Sequence, residues 1–177
     1  MLTMKDYQQR SLDSLSEFFG QCGQFGPKMA FMGITERPYH PVPHLNDVPY
    51  VCLRVPTGGG KTIMACHALG IAAADYLQTD KTACLWLVPS NAILDQTLAA
   101  LRNRNHPYRQ ALESRFSSPI AVTNLKEALS LQRGTLMGET AIIVSTLAAL
   151  RVEDTEGRKV YETNGALEHH FTGLSPQ

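Results

Sequence analysis

Tyr50-Val51-Cys52-Leu53-Arg54-Val55 is followed at once by Pro56-Thr57-Gly58-Gly59-Gly60-Lys61-Thr62. The first six residues are apolar apart from Arg54 and predict a strand. The next residues form a glycine-rich turn. The apolar run over residues 62–77 then predicts a helix. Strand, glycine loop and helix in that order suit one task well. Glycines let successive backbone N–H groups converge on an anion. The helix N-terminus behind them adds a partial positive charge.

A nucleoside triphosphate needs such a cradle. Lys61 is placed to reach the β- and γ-phosphates, and the Thr62 hydroxyl to coordinate Mg²⁺. The expected ligand is therefore ATP with Mg²⁺. Pro56, Thr57, Gly58, Gly59, Gly60, Lys61 and Thr62 are the binding residues, and Lys61 and Thr62 also the catalytic ones. The strict pattern G-x-x-x-x-G-K-[ST] asks for glycine at position 55, where this chain has Val55. The plain alternative is a turn that merely links strand to helix. The Gly60-Lys61-Thr62 ending, between a strand and a helix, weighs against it.

Outward from the loop, Thr82-Ala83-Cys84-Leu85-Trp86-Leu87-Val88 predicts a second strand closed by Pro89. Ser90 then caps a helix through Ile93, Leu94, Leu98 and Leu101. Residues 120–123 and 141–145 predict further strands, with a helix over 125–131 between them. Apolar strands alternating with helices indicate a three-layer α/β fold, its mostly parallel sheet covered on both faces. Upstream, Met4, Tyr7, Leu12, Leu15, Phe18 and Phe19 mark a helix that Gly20 should stop. Residues 20–49 are rich in glycine and proline and read as a loop-rich insert. The expected layout is a helix over 1–19, the insert over 20–49, a partial nucleotide-binding domain over 50–150, and a polar tail over 151–177.

The 177 residues are 44% hydrophobic and 18% charged, enough apolar material for a packed core. The net charge is zero, which excludes a binder that holds nucleic acid by overall basicity and leaves room for a local patch. No apolar run approaches the roughly 20 residues that span a bilayer, and residues 1–10 lack the apolar centre of a signal peptide. The four cysteines form no C-x-x-C pair; Cys52 and Cys84 read as buried, reduced thiols. A cytoplasmic location, with no membrane partner, is expected.

Pro56-Thr57-Gly58-Gly59-Gly60-Lys61-Thr62 resembles motif I of superfamily 2 helicases and translocases. Three weaker matches follow in the right order. Met4-Lys5-Asp6-Tyr7-Gln8 resembles the upstream glutamine motif, usually Leu-Arg-x-Tyr-Gln. Trp86-Leu87-Val88-Pro89-Ser90-Asn91 resembles motif Ia. Ile142-Ile143-Val144-Ser145-Thr146 resembles motif Ic. As an ordered set over residues 4–150 they resemble the N-terminal RecA-like domain of a type III restriction enzyme Res subunit or a close DEAD/DEAH-box relative.

The resemblance implies that Gln8, with Gln9 as a spare, reads the adenine edge through an amide that both donates and accepts. It also implies that Pro89, Ser90, Asn91, Ser145 and Thr146 contact the phosphates of one DNA strand, which positions the nucleic acid without reading sequence. A helix cap at Ser90 is the plainer reading of that residue. A modification or recognition subunit is a further implied partner. Arg102, Arg104, Arg109 and Arg115 could form a phosphate-facing patch, although a solvated helix face and loop is the preferred reading. His40 and His44 are separated by prolines and are poor metal ligands. His67 reads as a satisfied core histidine, and His169-His170 as surface.

Hydrolysis in this family needs motif II, an apolar strand ending in Asp-Glu. No Asp-Glu dipeptide occurs in the sequence, and Glu153-Asp154 is a reversed and interrupted imitation. The chain is therefore expected to stop before motif II and to be catalytically poor alone. The function expected of the parent is ATP-dependent DNA translocation or unwinding, with any endonuclease elsewhere. A truncated, non-catalytic nucleotide-binding remnant is one alternative. A different phosphate-loop enzyme, such as a small-molecule kinase, is the other.

Overall fold

A computed structural model describes residues 3–128 and 138–150. In chain order the elements are α1 (Asp6–Thr35), α2 (Lys61–Ile71), a π-helical turn (Ala72–Tyr76), β1 (Ala83–Val88), α3 (Asn91–Arg102), α4 (Pro107–Glu113), β2 (Ile120–Asn124), α5 (Leu125–Ala128), β3 (Thr140–Thr146) and α6 (Leu147–Leu150). They fall into two compact units. One is the described chain up to Asp80 together with Pro107–Ser117; the other is Lys81–His106 together with the described residues from Ser118 onward.

The first unit is helical. Leu12, Leu15 and Phe18 recur at helical spacing on α1 and are all buried. Leu12 and Leu15 pack with Met64 and Ile71 of α2. Phe18 and Cys22 pack with Ala30 and Tyr39. Gly20 does not stop the helix, so the insert expected over residues 20–49 is helical as far as Thr35. Gly20 and Gly23 sit in ordinary helical backbone. Each costs about 1 kcal/mol relative to alanine. Burying Phe18, Cys22 and, further on, Ala30 offsets that. The helix breaks instead at Gly26 (φ 75°, ψ 162°), and Pro27, which has no N–H to satisfy, opens the second limb. Beyond α1 the expected loop is present. The Tyr39 hydroxyl secures it, accepting from Tyr50 N–H at 2.8 Å and donating to Val48 C=O at 3.3 Å.

Residues 50–55 are extended but form no ladder with any described strand, contrary to the strand expected there. The apolar alternation is satisfied another way. Val51 and Val55 pack against the Leu12 cluster while Cys52, Leu53 and Arg54 are exposed. Cys52 is thus an exposed thiol and Cys84 a half-buried one, not the buried pair expected. The buried cysteines are Cys22 and Cys66, and burial pushes the Cys22 thiol up to about 11.

α2 runs on through the π-helical turn to Tyr76, close to the expected 62–77. At Gly70 an added Cβ would lie 2.3 Å from the Cβ of Arg115, just past α4. That atom is fixed by the backbone and cannot swing aside. Gly70→Ala should therefore destabilise the protein by about 1–3 kcal/mol despite its better helix propensity. Urea unfolding checks this; a midpoint equal to or above the parent's would contradict the close approach. His67 lies on the same side of α2. Its Nδ1 accepts from Arg115 Nε at 3.2 Å, and partial burial, then the guanidinium charge, hold its pKa below the ordinary value.

The second unit is a parallel three-strand sheet in the order β1-β3-β2. All three strands match expected ones. Only the central β3 is buried along nearly its whole length. β1 alternates instead, leaving Leu85 and Leu87 about half exposed. The expectation of a sheet covered on both faces therefore holds for β3 and not for β1, because β1 is an edge strand among the described residues. The helix expected over 125–131 is present as α5 up to Ala128, and its remainder lies outside the described residues. The tail over 151–177, with Glu153-Asp154 and His169-His170, lies outside them as well. No helix among the described residues is long and apolar enough to cross a membrane.

Candidate functional site

The glycine loop closes on itself between residues 56 and 60. The Gly59 N–H donates to Pro56 C=O at 3.0 Å, turning the chain back. Gly58 (φ 74°) and Gly60 (φ 81°) both adopt left-handed backbone, which costs a residue with a Cβ about 1–2 kcal/mol. Space is as restrictive as torsion. A Cβ on Gly59 would fall 2.7 Å from Val55 Cγ1, and one on Gly60 2.5 Å from Gln8 Nε2. Val55, which breaks the strict motif, is thus the side chain that packs under the loop.

Gly60 is also the N-cap of α2, with no side chain capping it. The first N–H groups of an eleven-residue helix therefore open onto the loop. The Lys61 ammonium folds back across the loop and donates to Pro56 C=O at 3.0 Å, with its side chain exposed. Thr62 follows on the first turn, half-buried. Backbone N–H donors, a helix N-terminus and an exposed ammonium on one short loop suit an oligophosphate and offer an apolar molecule nothing.

The residues of the glutamine motif meet this loop. Gln8 is buried, and its amide spans two backbone groups: Oε1 accepts from Lys5 N–H and Nε2 donates to Gly59 C=O, each at 2.8 Å. Tyr7 Oη donates to the same carbonyl at 2.8 Å. Gln9, the spare candidate, points elsewhere and pairs with Asp13 on the exposed face of α1. The sequence signalled Gln8 but gave Tyr7 no role. Its hint was its place at the tyrosine of the glutamine motif, Met4-Lys5-Asp6-Tyr7-Gln8.

In the second unit the register aligns Leu87 with Ser145 and Val88 with Thr146. Pro89, Ser90 and Asn91 therefore leave β1 beside the point where β3 ends, and all three are exposed. Ser90 caps α3, its Oγ accepting from Ile93 N–H at 3.4 Å. Ser145 and Thr146 are buried. The Ser145 hydroxyl donates to Thr146 C=O, and Thr146 Oγ1 accepts from Ala149 N–H, each at 3.2 Å.

The arginines are largely committed. Arg102 donates to Val122 C=O at 3.1 Å and pairs with Glu127. Arg109 is buried and pairs with Glu113 at 2.8 Å. Arg115 serves His67. Among the described residues no group of His, Cys, Asp and Glu side chains could hold a metal ion by itself.

The family model described as type III restriction enzyme, res subunit, matches residues 1–171. No protein of curated function and no solved structure matches the chain.

Proposed function

The chain belongs to the type III restriction enzyme Res-subunit family and is a DEAD/DEAH helicase-like domain, and from that premise we propose that it binds Mg-ATP on the loop over residues 56–62. The observation that carries the proposal is the loop itself: two left-handed glycines and the bare N-terminus of α2, with Lys61 folded over them. The N–H groups at the start of α2 bind phosphate oxygens, and Lys61 exchanges Pro56 C=O for the β- and γ-phosphates. The Thr62 hydroxyl holds Mg²⁺, which when bound neutralises charge between those phosphates. Gln8 takes the adenine edge by giving up one of its two backbone partners.

DNA is the second ligand of the proposal. Pro89, Ser90 and Asn91 contact backbone phosphates at the exposed start of α3. Ser145 and Thr146 shape the adjoining turn, since their hydroxyls are used internally. In this reading the domain serves to couple ATP hydrolysis to movement along DNA. The sequence has no Asp-Glu dipeptide, so turnover by these 177 residues alone should be slow.

Titration of the chain with a fluorescent ATP analogue in Mg²⁺ tests the first claim. Saturable binding, displaced by unlabelled ATP, is expected. Retention of short duplex DNA at low salt, weakening as salt rises, tests the second. No saturation with the analogue would remove the nucleotide assignment, and no salt-sensitive retention the DNA assignment.

A further inference from the structure

One carbonyl in the loop is held from outside. Gly59 C=O receives both Tyr7 Oη and Gln8 Nε2, each at 2.8 Å, from adjacent residues in the first turn of α1. We infer that Tyr7 is a positioning residue for nucleotide phosphates, fixing the peptide between Gly59 and Gly60 in the orientation that binding requires. The inference rests on the reading of residues 56–62 as the nucleotide site.

The physical reason is the peptide geometry. A trans peptide is planar, so its C=O and N–H point in opposite directions. With Gly59 C=O pinned toward α1, the Gly60 N–H is aimed to the other side of the loop. Among the described residues no acceptor takes that N–H. A peptide between two glycines has little steric resistance to turning over, because both flanking residues tolerate positive φ. If it turned, a carbonyl would face the phosphates where a donor is needed, so the orientation has to be enforced by contacts outside the loop.

Tyr7 and Gln8 are not equivalent in that task. The Gln8 amide already spans Lys5 and Gly59, and reading adenine would take one end of it away. The Tyr7 phenol has one donor, and that donor goes to the loop. Tyr7 therefore keeps the peptide fixed whichever partner Gln8 holds. Its ring is half-buried, so water competes only in part for the bond.

Tyr7→Phe removes the donor and keeps the ring. In the full 177-residue chain it should weaken Mg-ATP binding about fivefold, the worth of one neutral hydrogen bond. Magnesium tripolyphosphate, used as competitor, carries the phosphates without base or ribose, and its affinity should fall as well, by less than that of Mg-ATP because without a base Gln8 keeps its bond to Gly59 C=O. Titrations well below the melting midpoint of either protein separate this from loss of fold. Equal affinity of Tyr7→Phe and the parent for both ligands would overturn the inference. So would weaker ATP binding with unchanged tripolyphosphate binding, because Tyr7 would then serve the base. Lys61→Ala marks the other failure. If the parent does not bind, or Lys61→Ala binds as well as the parent, the nucleotide site itself is wrong. If the parent binds, Lys61→Ala binds far more weakly, and Tyr7→Phe is unchanged, the role of Tyr7 alone is wrong.

Discussion

Lys61→Ala should lower Mg-ATP affinity by about a hundredfold, as expected when charge-assisted hydrogen bonds to phosphate are lost. The side chain is exposed, and among the described residues it makes a single hydrogen bond, to Pro56 C=O. Its removal should therefore leave the melting midpoint within a degree or two, since exposed substitutions rarely move stability by more than about 0.5 kcal/mol. That contrast between binding and stability is the informative part. Calorimetric titration of the variant beside its thermal melt gives both numbers. Undiminished affinity would mean that the phosphates bind elsewhere. A large fall in melting point would mean that the lysine is structural.

Gly60→Ala should damage both fold and binding. The residue sits at φ 81°, ψ 35°, where a Cβ costs about 1–2 kcal/mol. The same Cβ would lie 2.5 Å from Gln8 Nε2, and Gln8 would have to release Gly59 C=O to make room. Loss of that buried bond adds about 1 kcal/mol. The combined destabilisation is about 2–3 kcal/mol, readable as a lower urea midpoint with unchanged slope. Nucleotide binding should fall with it, because the first N–H groups of α2 would no longer stand in a fixed loop. A variant as stable as the parent would contradict the left-handed loop.

The comparison of sequence and structure follows the range of the forces involved. The glycine loop, α2, and Ser90 as the cap of α3 were legible because their signals are local: glycines, helical periodicity, a hydroxyl before an apolar run. The strands at 83–88, 120–124 and 140–146 were legible from their apolar runs. Residues 50–55 carry the same signal and form no ladder, because pairing depends on a partner distant in sequence and Val51 and Val55 find helices instead. Gly20 was misread for a related reason. Glycine is a poor helix former, but burial of Phe18 and Cys22 decides the outcome there.

At the candidate site, Tyr7 and Gln8 were both legible as positions of one motif, while their shared bond to the Gly59 carbonyl was not. Nothing in the order of residues shows that the first turn of α1 meets a loop some fifty positions later, the separation spanned by these two bonds. The burial of Ser145 and Thr146 was likewise invisible, since a hydroxyl at a strand end reads the same whether it faces water or caps the next turn.

The central claim is that residues 56–62 hold the phosphates of Mg-ATP, and backbone amide hydrogen exchange tests it most directly. Exchange would be followed across the chain with and without saturating Mg-ATP. Slowed exchange is expected at the amides of Gly58 and Gly60 and through the first turn of α2. Unchanged exchange there, with protection elsewhere or nowhere, would contradict it.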